Sequence, residues 1–317
     1  YKILSMSTPE FTANLPTEDV ITENTKGITI VTYNLENLSP FDDSSRYKEF
    51  ANQIVKDLNS PDILVLHEIM DNSGTSDDGI VEADKTISRL IAEIENKGGP
   101  RYKYSDAPPE NNKDGGIEGG NIRSVLLYRS DRGIRLAQPD KINSDWIYQS
   151  GEYSVAQNPF RIGDKDQAFA GTRKPSVWLL EQNGQQFYVM GVHLVSQGSN
   201  SPEWGSIQPP LIEADSRRVA QAEILNTEVE KIIESNAEIP IILAGDLNDF
   251  PWSETMDAFT KNDLINAAIY ENDNERFSYI FEGNAQQLDY IMITKNLAHG
   301  VKLARFVHIN TVLDWED

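Results

Sequence analysis

Cysteine is missing altogether from this 317-residue chain, which removes disulfide staples, thiolate metal centres and thiol nucleophiles from the devices open to it. That absence suits a bacterial protein exported into an oxidising space, and an extracellular location is the expectation. Histidine is nearly as scarce: His67, His193, His299 and His308 are all there are, so any imidazole chemistry has four candidates. No apolar run approaches the roughly 20 residues that a membrane-crossing helix needs. The stretch after Tyr1 lacks the charged-then-apolar pattern of a leader. A soluble, processed or trimmed chain with no membrane partner is expected. Cations are short too, 28 Lys+Arg against 50 Asp+Glu, for a formal charge of −22. Such a surface repels polyanions at long range, so a phosphate-bearing substrate must be met by metal ions or a local basic patch. An acidic coat kept for solubility accounts for most of this charge without any function.

What is present is a chain long enough, with 39% hydrophobic residues, to bury a large core. Residues 1–26 have mixed polarity and no periodicity, and are expected to form a linker or arm ahead of one domain spanning 27–317. Short apolar, β-branched runs then recur: Ile28 to Tyr33, Ile63 to Leu66, Val125 to Tyr128, Ser176 to Leu180, Phe187 to Val192, Ile239 to Ala244, Tyr290 to Thr294 and Val301 to His308. They predict buried strands. Helical spacing appears between them. Tyr47, Phe50, Ala51, Ile54 and Leu58 follow Ser44 and Ser45, either of which could cap the helix. Ile87, Leu90, Ile91 and Ile94 repeat the spacing and are stopped at Gly98 and Gly99. A third helix is predicted from about Asp215 to Glu234. Interleaved strands and helices make the class α/β. The Gly-rich and polar stretches 105–121 and 140–172 read as surface excursions.

The polar residues that end these strands are the informative ones. The first strand runs into Asn34, the second into Glu68, the run from Phe187 into His193, and the run from Pro240 into Asp246-Leu-Asn248. In α/β sheets ligands sit beyond the carboxyl ends of strands, so residues distant in sequence can meet on one rim. Asp289 opens the strand Tyr290 to Thr294 and reaches the same rim if that strand runs antiparallel. Taken singly, each of these residues could be a turn cap; five together are harder to explain that way. Asp246-Leu-Asn248-Asp249 also resembles the opening of a calcium loop, but Pro251 stands where that loop needs Gly and a strand precedes it. The acidic stretch Asp71 to Asp78 is the better candidate for a peripheral, structural Ca²⁺, against the plainer reading of a solvated loop.

These motifs resemble the endonuclease/exonuclease/phosphatase superfamily. Thr32-Tyr-Asn34-Leu-Glu-Asn, Leu66-His-Glu68-Ile, Gly191-Val-His193-Leu, Gly245-Asp246-Leu-Asn248 and Leu288-Asp289-Tyr290 occur in its order and approximate spacing. Gly120-Asn121-Ile-Arg, Arg173-Lys-Pro175, Gln208-Pro-Pro210 ahead of an Arg217-containing helix, Phe277 to Gly283 and Val307-His-Ile-Asn310 are similar to its bacterial extracellular nuclease branch. The resemblance implies a four-layer α/β/β/α sandwich with two packed mixed sheets. It implies a monomeric Mg²⁺- or Mn²⁺-dependent nuclease, a phosphodiesterase that hydrolyses DNA or RNA by in-line attack of an activated water. Glu68 and Asn34 would hold the metal, Asp246 would deprotonate the water, and Asn248 and His193 would donate to phosphate oxygens. Asp289 would orient a second histidine, and Asn121 and Arg173 would grip the substrate. His67 is expected to point away from the site as a sheet-packing residue. The family's closing Ser-Asp-His motif does not occur in the 317 residues; truncation of the sequence before that last catalytic strand is the expected reason. A phosphoesterase acting on a small or lipid phosphoester, and a non-catalytic calcium-dependent binding module of the same fold, are the alternatives.

Overall fold

The computed structural model of the protein describes residues 27–137, 149–150, 153–154, 158–201, 206–209, 211–261, 264–281 and 283–309. The arm expected over 1–26 lies outside the described residues, as do 140–148, 151–152 and 155–157 of the excursion expected over 140–172. The first sheet contains β1 (Ile30–Leu38), β2 (Ile63–Ile69), β3 (Lys103–Asp106) and β4 (Arg123–Tyr128) in the order β1-β2-β4-β3. β1 and β2 are parallel, and the other pairs in this sheet are antiparallel.

The second sheet is built on β5 (Arg135–Leu136), β8 (Phe160–Arg161), β9 (Ser176–Gln182), β10 (Gln185–His193), β11 (Ile241–Asp246), β12 (Leu264–Asn266) and β15 (Asp289–Thr294). Its order is β12-β15-β11-β10-β9-β5, with β8 also paired to β9. Two small hairpins, β6 (Gln149–Ser150) with β7 (Tyr153–Ser154) and β13 (Tyr279–Phe281) with β14 (Asn284–Gln286), stand apart from it. Among the described strands of this sheet, β10 and β11 are the parallel pair; β15 is antiparallel to β11, as expected for a strand that brings Asp289 back to the rim.

Period-two alternation sorts the apolar side chains into three cores, and three cores require four layers. On β2, Leu64 and Leu66 face α1 (Ser44–Asn52) and α2 (Asp84–Asn96), whereas Ile63 and Val65 face the second sheet. On β10 and β11, Phe187, Val189, Ile242 and Ala244 face inward, while Tyr188, Met190, Ile241 and Leu243 pack under α3 (Glu213–Ser235) and α4 (Glu254–Thr260). Trp178 fills the space between the sheets and is fully buried. Each Leu, Ile or Val buried in this way contributes roughly 1.5–3 kcal/mol.

Two local expectations are corrected. Asp43, rather than Ser44 or Ser45, precedes α1, which runs on into a π-helical turn over Gln53–Asp57. The run Val301 to His308 is not a strand: it joins no ladder among the described residues, and His308 is stacked on Phe277 with its Nε2 against the Phe277 carbonyl at 3.0 Å. On α3 the buried guanidinium is that of Arg218, which lies on the face that carries Ala214, Ala222 and Leu225.

Candidate active site

The inner faces of both sheets are apolar along most of their length and turn polar at one end. Ile30 on β1 and Ile28 just before it pack against the inter-sheet core, so Thr32 and Asn34 continue the same face. On β10 and β11 the inward series 187-189-191-193 and 242-244-246 end on His193 and Asp246. These two are direct Cα partners, and Asp246 is in turn opposite Asp289 on β15. Three adjacent strands therefore present His193, Asp246 and Asp289 in one row.

Glu68 reaches this row by a different device. Simple alternation on β2 would send residue 68 to the helix side with Leu64 and Leu66. Instead the register with β4 shifts between Leu66 and Ile69, Ile69 rather than Glu68 enters the helix-side core, and Glu68 takes a left-handed φ of +58°. A bulge that re-aims one side chain, at a conformation which a non-glycine residue occupies at a cost of about 1–3 kcal/mol, is characteristic of a functional rim. Asn248 is likewise left-handed, with φ +54°.

The contacts are close. Asn34 Nδ2 donates to Glu68 Oε1 at 3.1 Å and more weakly toward Asp246 Oδ2 at 3.4 Å. His193 Nε2 lies 3.8 Å from both Glu68 Oε1 and Asp246 Oδ2. The Asn248 backbone N–H donates to Asp246 Oδ1 at 2.9 Å, which fixes the carboxylate's orientation. The carbonyl of Leu194, next to His193, accepts from Arg173 Nη2 at 2.8 Å and from Asn248 Nδ2 at 3.2 Å, so both donors are held beside the same strand end. Asn34, Glu68, His193, Asp246, Asn248 and Asp289 are thus brought together, with Arg173 adjoining them.

Burial sets the electrostatics. Asp246 is raised to about 6, by desolvation first, against the lowering effect of the Asn248 N–H, Arg173 and Asn34. Asp289 is pushed well above the usual carboxylate range by desolvation and then by the charges of Asp246 and Glu68, and its buried Oδ1 has no hydrogen-bond partner among the described residues. Desolvation also keeps His193 neutral, helped by the Arg173 charge; its buried Nδ1 is unpartnered among the described residues. Arg173 is itself depressed by desolvation, an effect that Glu68 and Asp246 oppose. The site is an oxygen-rich, desolvated anionic centre short of positive charge.

His67 behaves as its place on the inward series 63-65-67 requires. It is fully buried between the sheets, bonded to Thr32 Oγ1 at 3.1 Å and Ser124 Oγ at 2.9 Å, and edge-on to His193 with ring centroids 6.0 Å apart. Gly245 makes room for it: a Cβ there would stand 3.0 Å from the His67 ring and 1.7 Å from the Val192 carbonyl oxygen.

Hydrogen bonds within the loops already engage two groups of residues that were expected to meet ligands. Asn121 spends its Nδ2 on Asp71, Asn111 and the carbonyl of Ile80, and its Oδ1 on the Asn112 N–H. It closes the loop and has no free donor for a substrate. The carboxylates of the stretch Asp71 to Asp78, where a structural Ca²⁺ was expected, are also engaged within the loop. Asp71 accepts from Ser73 and Asn121, Asp77 from Asn111, and Asp78 from Ser73 and the Ile80 N–H. Among the described residues no group of three or more His, Asp or Glu side chains forms a ready-made metal cage.

The clamp around Asp249 was not legible from the sequence. Asp249 accepts from Arg218 Nε at 3.0 Å and Thr255 Oγ1 at 2.7 Å, and its carbonyl accepts from the Tyr290 hydroxyl at 2.8 Å. An arginine on the apolar face of a helix was the one available signal.

No curated protein is significantly similar in sequence. Solved structures share the fold at low identity. The human Nocturnin catalytic domain with bound sulfate is 17% identical with a TM-score of 0.53, over 84% of this chain and 83% of that one. Truncated Caenorhabditis elegans TDP2 is 16% identical with a TM-score of 0.51, over 84% of each chain. D. rerio TDP2 complexed with single-strand DNA product is 13% identical with a TM-score of 0.50, over 84% of this chain and 83% of that one. Residues 31–305 match the family model described as Endonuclease/Exonuclease/phosphatase family, and the chain belongs to that family.

Proposed function

We propose that the protein is a divalent-metal-dependent phosphodiesterase that hydrolyses nucleic acid, of the kind found among bacterial extracellular nucleases, with the extracellular location that this reading implies. The observation that carries it is the meeting of Asn34, Glu68, His193 and Asp246 around one point with Arg173 alongside.

The donor set fits a hard cation. Glu68 would hold Mg²⁺ or Mn²⁺ through its carboxylate, and such sites use one or two protein carboxylates rather than a full cage; Asn34, whose Oδ1 accepts from the Glu36 N–H while its Nδ2 faces Glu68, would turn its amide over to add a second oxygen. When bound, the cation offsets the charge of the phosphodiester and of the pentacoordinate phosphorus that forms from it. Asp246 accepts a proton from the attacking water: its Oδ1 is held by the Asn248 N–H, and a carboxylate raised to about 6 is a stronger base than an ordinary one while ionised at neutral pH. The water oxygen forms a bond to phosphorus as the opposite P–O bond breaks. Asn248 Nδ2, anchored on the Leu194 carbonyl, has a second N–H for a non-bridging oxygen. Arg173, anchored on the same carbonyl, has further guanidinium donors. Neutral His193 donates from Nε2 to a phosphate oxygen. Asp289 lies behind Asp246 as a second buried carboxyl. D. rerio TDP2, of the same fold, is seen with a single-strand DNA product, which supports a nucleic acid substrate.

The test is degradation of plasmid and of a single-stranded oligonucleotide with Mg²⁺ or Mn²⁺. Activity is expected to vanish with EDTA. Glu68→Gln is expected to reduce it by about 10²-fold or more, the usual scale for losing a transition-state charge partner, and to raise the metal concentration needed. Hydrolysis indifferent to EDTA refutes the reading. The −22 charge favours one second reading, a small phosphoester substrate that meets less repulsion than a long polyanion; turnover of small esters with no nick in DNA selects it.

A further inference from the structure

The loop that follows Asn248 presents an aromatic surface that the phosphodiester chemistry does not use. Trp252 is 79% exposed, the most exposed large hydrophobic side chain among the described residues, and its ring stacks on Phe250 with centroids 5.3 Å apart and planes within 12°. One face of the indole is therefore supported, and the geometry leaves a flat π-face toward solvent. The support is stiff. Asp249 is locked by Arg218 and Thr255, its carbonyl is held by Tyr290, and Ser253 caps α4 by accepting from the Met256 N–H. A bound partner meets a ring already in place, so little conformational entropy is lost on contact.

Position and charge suggest what that partner is. Trp252 lies four residues past Asn248, so their Cα atoms are at most about 14 Å apart even if the chain were fully extended. A strand with a phosphate at the Asp246 centre has its neighbouring bases within that reach. The net charge of −22 denies the protein the broad basic surface on which duplex binding depends, and Arg218, the cation that holds Asp249 in this loop, is buried and already shared between Asp215 and Asp249. Base stacking on an aromatic ring needs no positive field, accepts every base, and requires that the base be unpaired.

We propose that Phe250 and Trp252 form a stacking platform for an unpaired nucleobase next to the scissile phosphate, which makes single-stranded nucleic acid the preferred substrate. This rests on the nuclease reading of the site. It also predicts discrimination between a normal strand and one of equal charge that has abasic positions flanking the cleaved phosphate.

The experiment compares wild type, Trp252→Ala and Trp252→Phe on these two oligonucleotides. Binding is followed by fluorescence anisotropy of end-labelled strands without metal, and hydrolysis with Mg²⁺. Trp252 is exposed, and unchanged thermal melting verifies that both variants fold. Wild type is expected to bind the normal strand roughly tenfold more tightly than the abasic strand, the scale of one base–aromatic stack. Trp252→Ala should bind both alike, and Trp252→Phe should keep most of the preference. Equal binding of the two strands by wild type, or an undiminished preference in Trp252→Ala, overturns the platform even if nucleic acid is hydrolysed. A Trp252-dependent preference without hydrolysis upholds the platform while the catalytic reading falls. Phosphatidylcholine vesicles are the remaining arm: Trp252-dependent binding to them, with none to either strand, overturns the proposal in favour of a membrane contact.

Discussion

Replacing Asp246 with Asn separates the protein's stability from its chemistry, and the size of the effect follows from the site. Asp246 is raised from 3.8 to about 6 by burial. A folded-state value above the unfolded one means that the stabilising contribution of the protonated form is complete below about pH 3.8 and is lost as pH rises through about 6. Above that window the wild type holds a buried charge at a penalty of about 3 kcal/mol, from roughly two units at 1.36 kcal/mol each. Asn has the same shape and no charge. Its oxygen keeps the Asn248 N–H, but its amide faces Asn34 Nδ2 in place of the 3.4 Å contact, a loss of about 1 kcal/mol. In EDTA, Asp246→Asn should therefore be more stable than wild type by about 2 kcal/mol near pH 8, and close to equal near pH 4.5, where about 1 kcal/mol of the penalty remains. Relief of the charge acting on Asp289 works in the same direction. Urea denaturation at the two pH values reads the difference, and a hydrolysis assay should show a loss of about 10²-fold or more. A variant less stable than wild type near pH 8, or a gap that does not change with pH, refutes the electrostatic argument; retained hydrolysis refutes the role of Asp246 as base.

Three other outcomes follow from the fold. His67 is lowered from 6.5 to about 3 by burial, so the unfolded chain takes up its proton first and stability falls as pH drops from about 6.5 toward 3, by up to about 1.4 kcal/mol per pH unit. His67→Gln should remove that increment from the slope of urea stability against pH, and an unchanged slope would show that His67 is not held neutral. Gly245→Ala places a methyl 1.7 Å from the Val192 carbonyl oxygen and should destabilise by more than about 4 kcal/mol, since β10 and β11 must part; a wild-type melting temperature would contradict their register. Arg218→Ala leaves Asp249 buried without its cation and should lower stability by about 3–5 kcal/mol in chemical denaturation, an expectation that a change below about 1 kcal/mol would defeat.

Much of the fold was legible because strand periodicity is a local property. The alternation in Ile63-Leu-Val-Leu and Phe187-Tyr-Val-Met already separates two faces, and polar residues at the ends of four such runs already mark a rim. The order of the motifs sufficed for the family, and His67 was legible as a sheet-packing residue, although it packs on the inward face against His193 rather than pointing away from the site. Where the sequence misled, the deciding contact was distant. Asn121 looked available for substrate until Asp71, fifty positions away, took its amide. Val301 to His308 has the composition of a strand but joins no ladder among the described residues. Arg217 and Arg218 differ by one position on α3, and only packing against the second sheet decides which of them is buried.

The sequence by itself determined which residue types end each strand and on which face most of them lie, because side chains alternate about a chain whose φ and ψ are restricted one residue at a time. Only the tertiary structure decided that Glu68 leaves the helix side and joins Asn34, His193 and Asp246. That turn is made by a bulge and a left-handed backbone whose strain is offset by contacts with β1 and β4, and such compensation cannot be seen in any one segment.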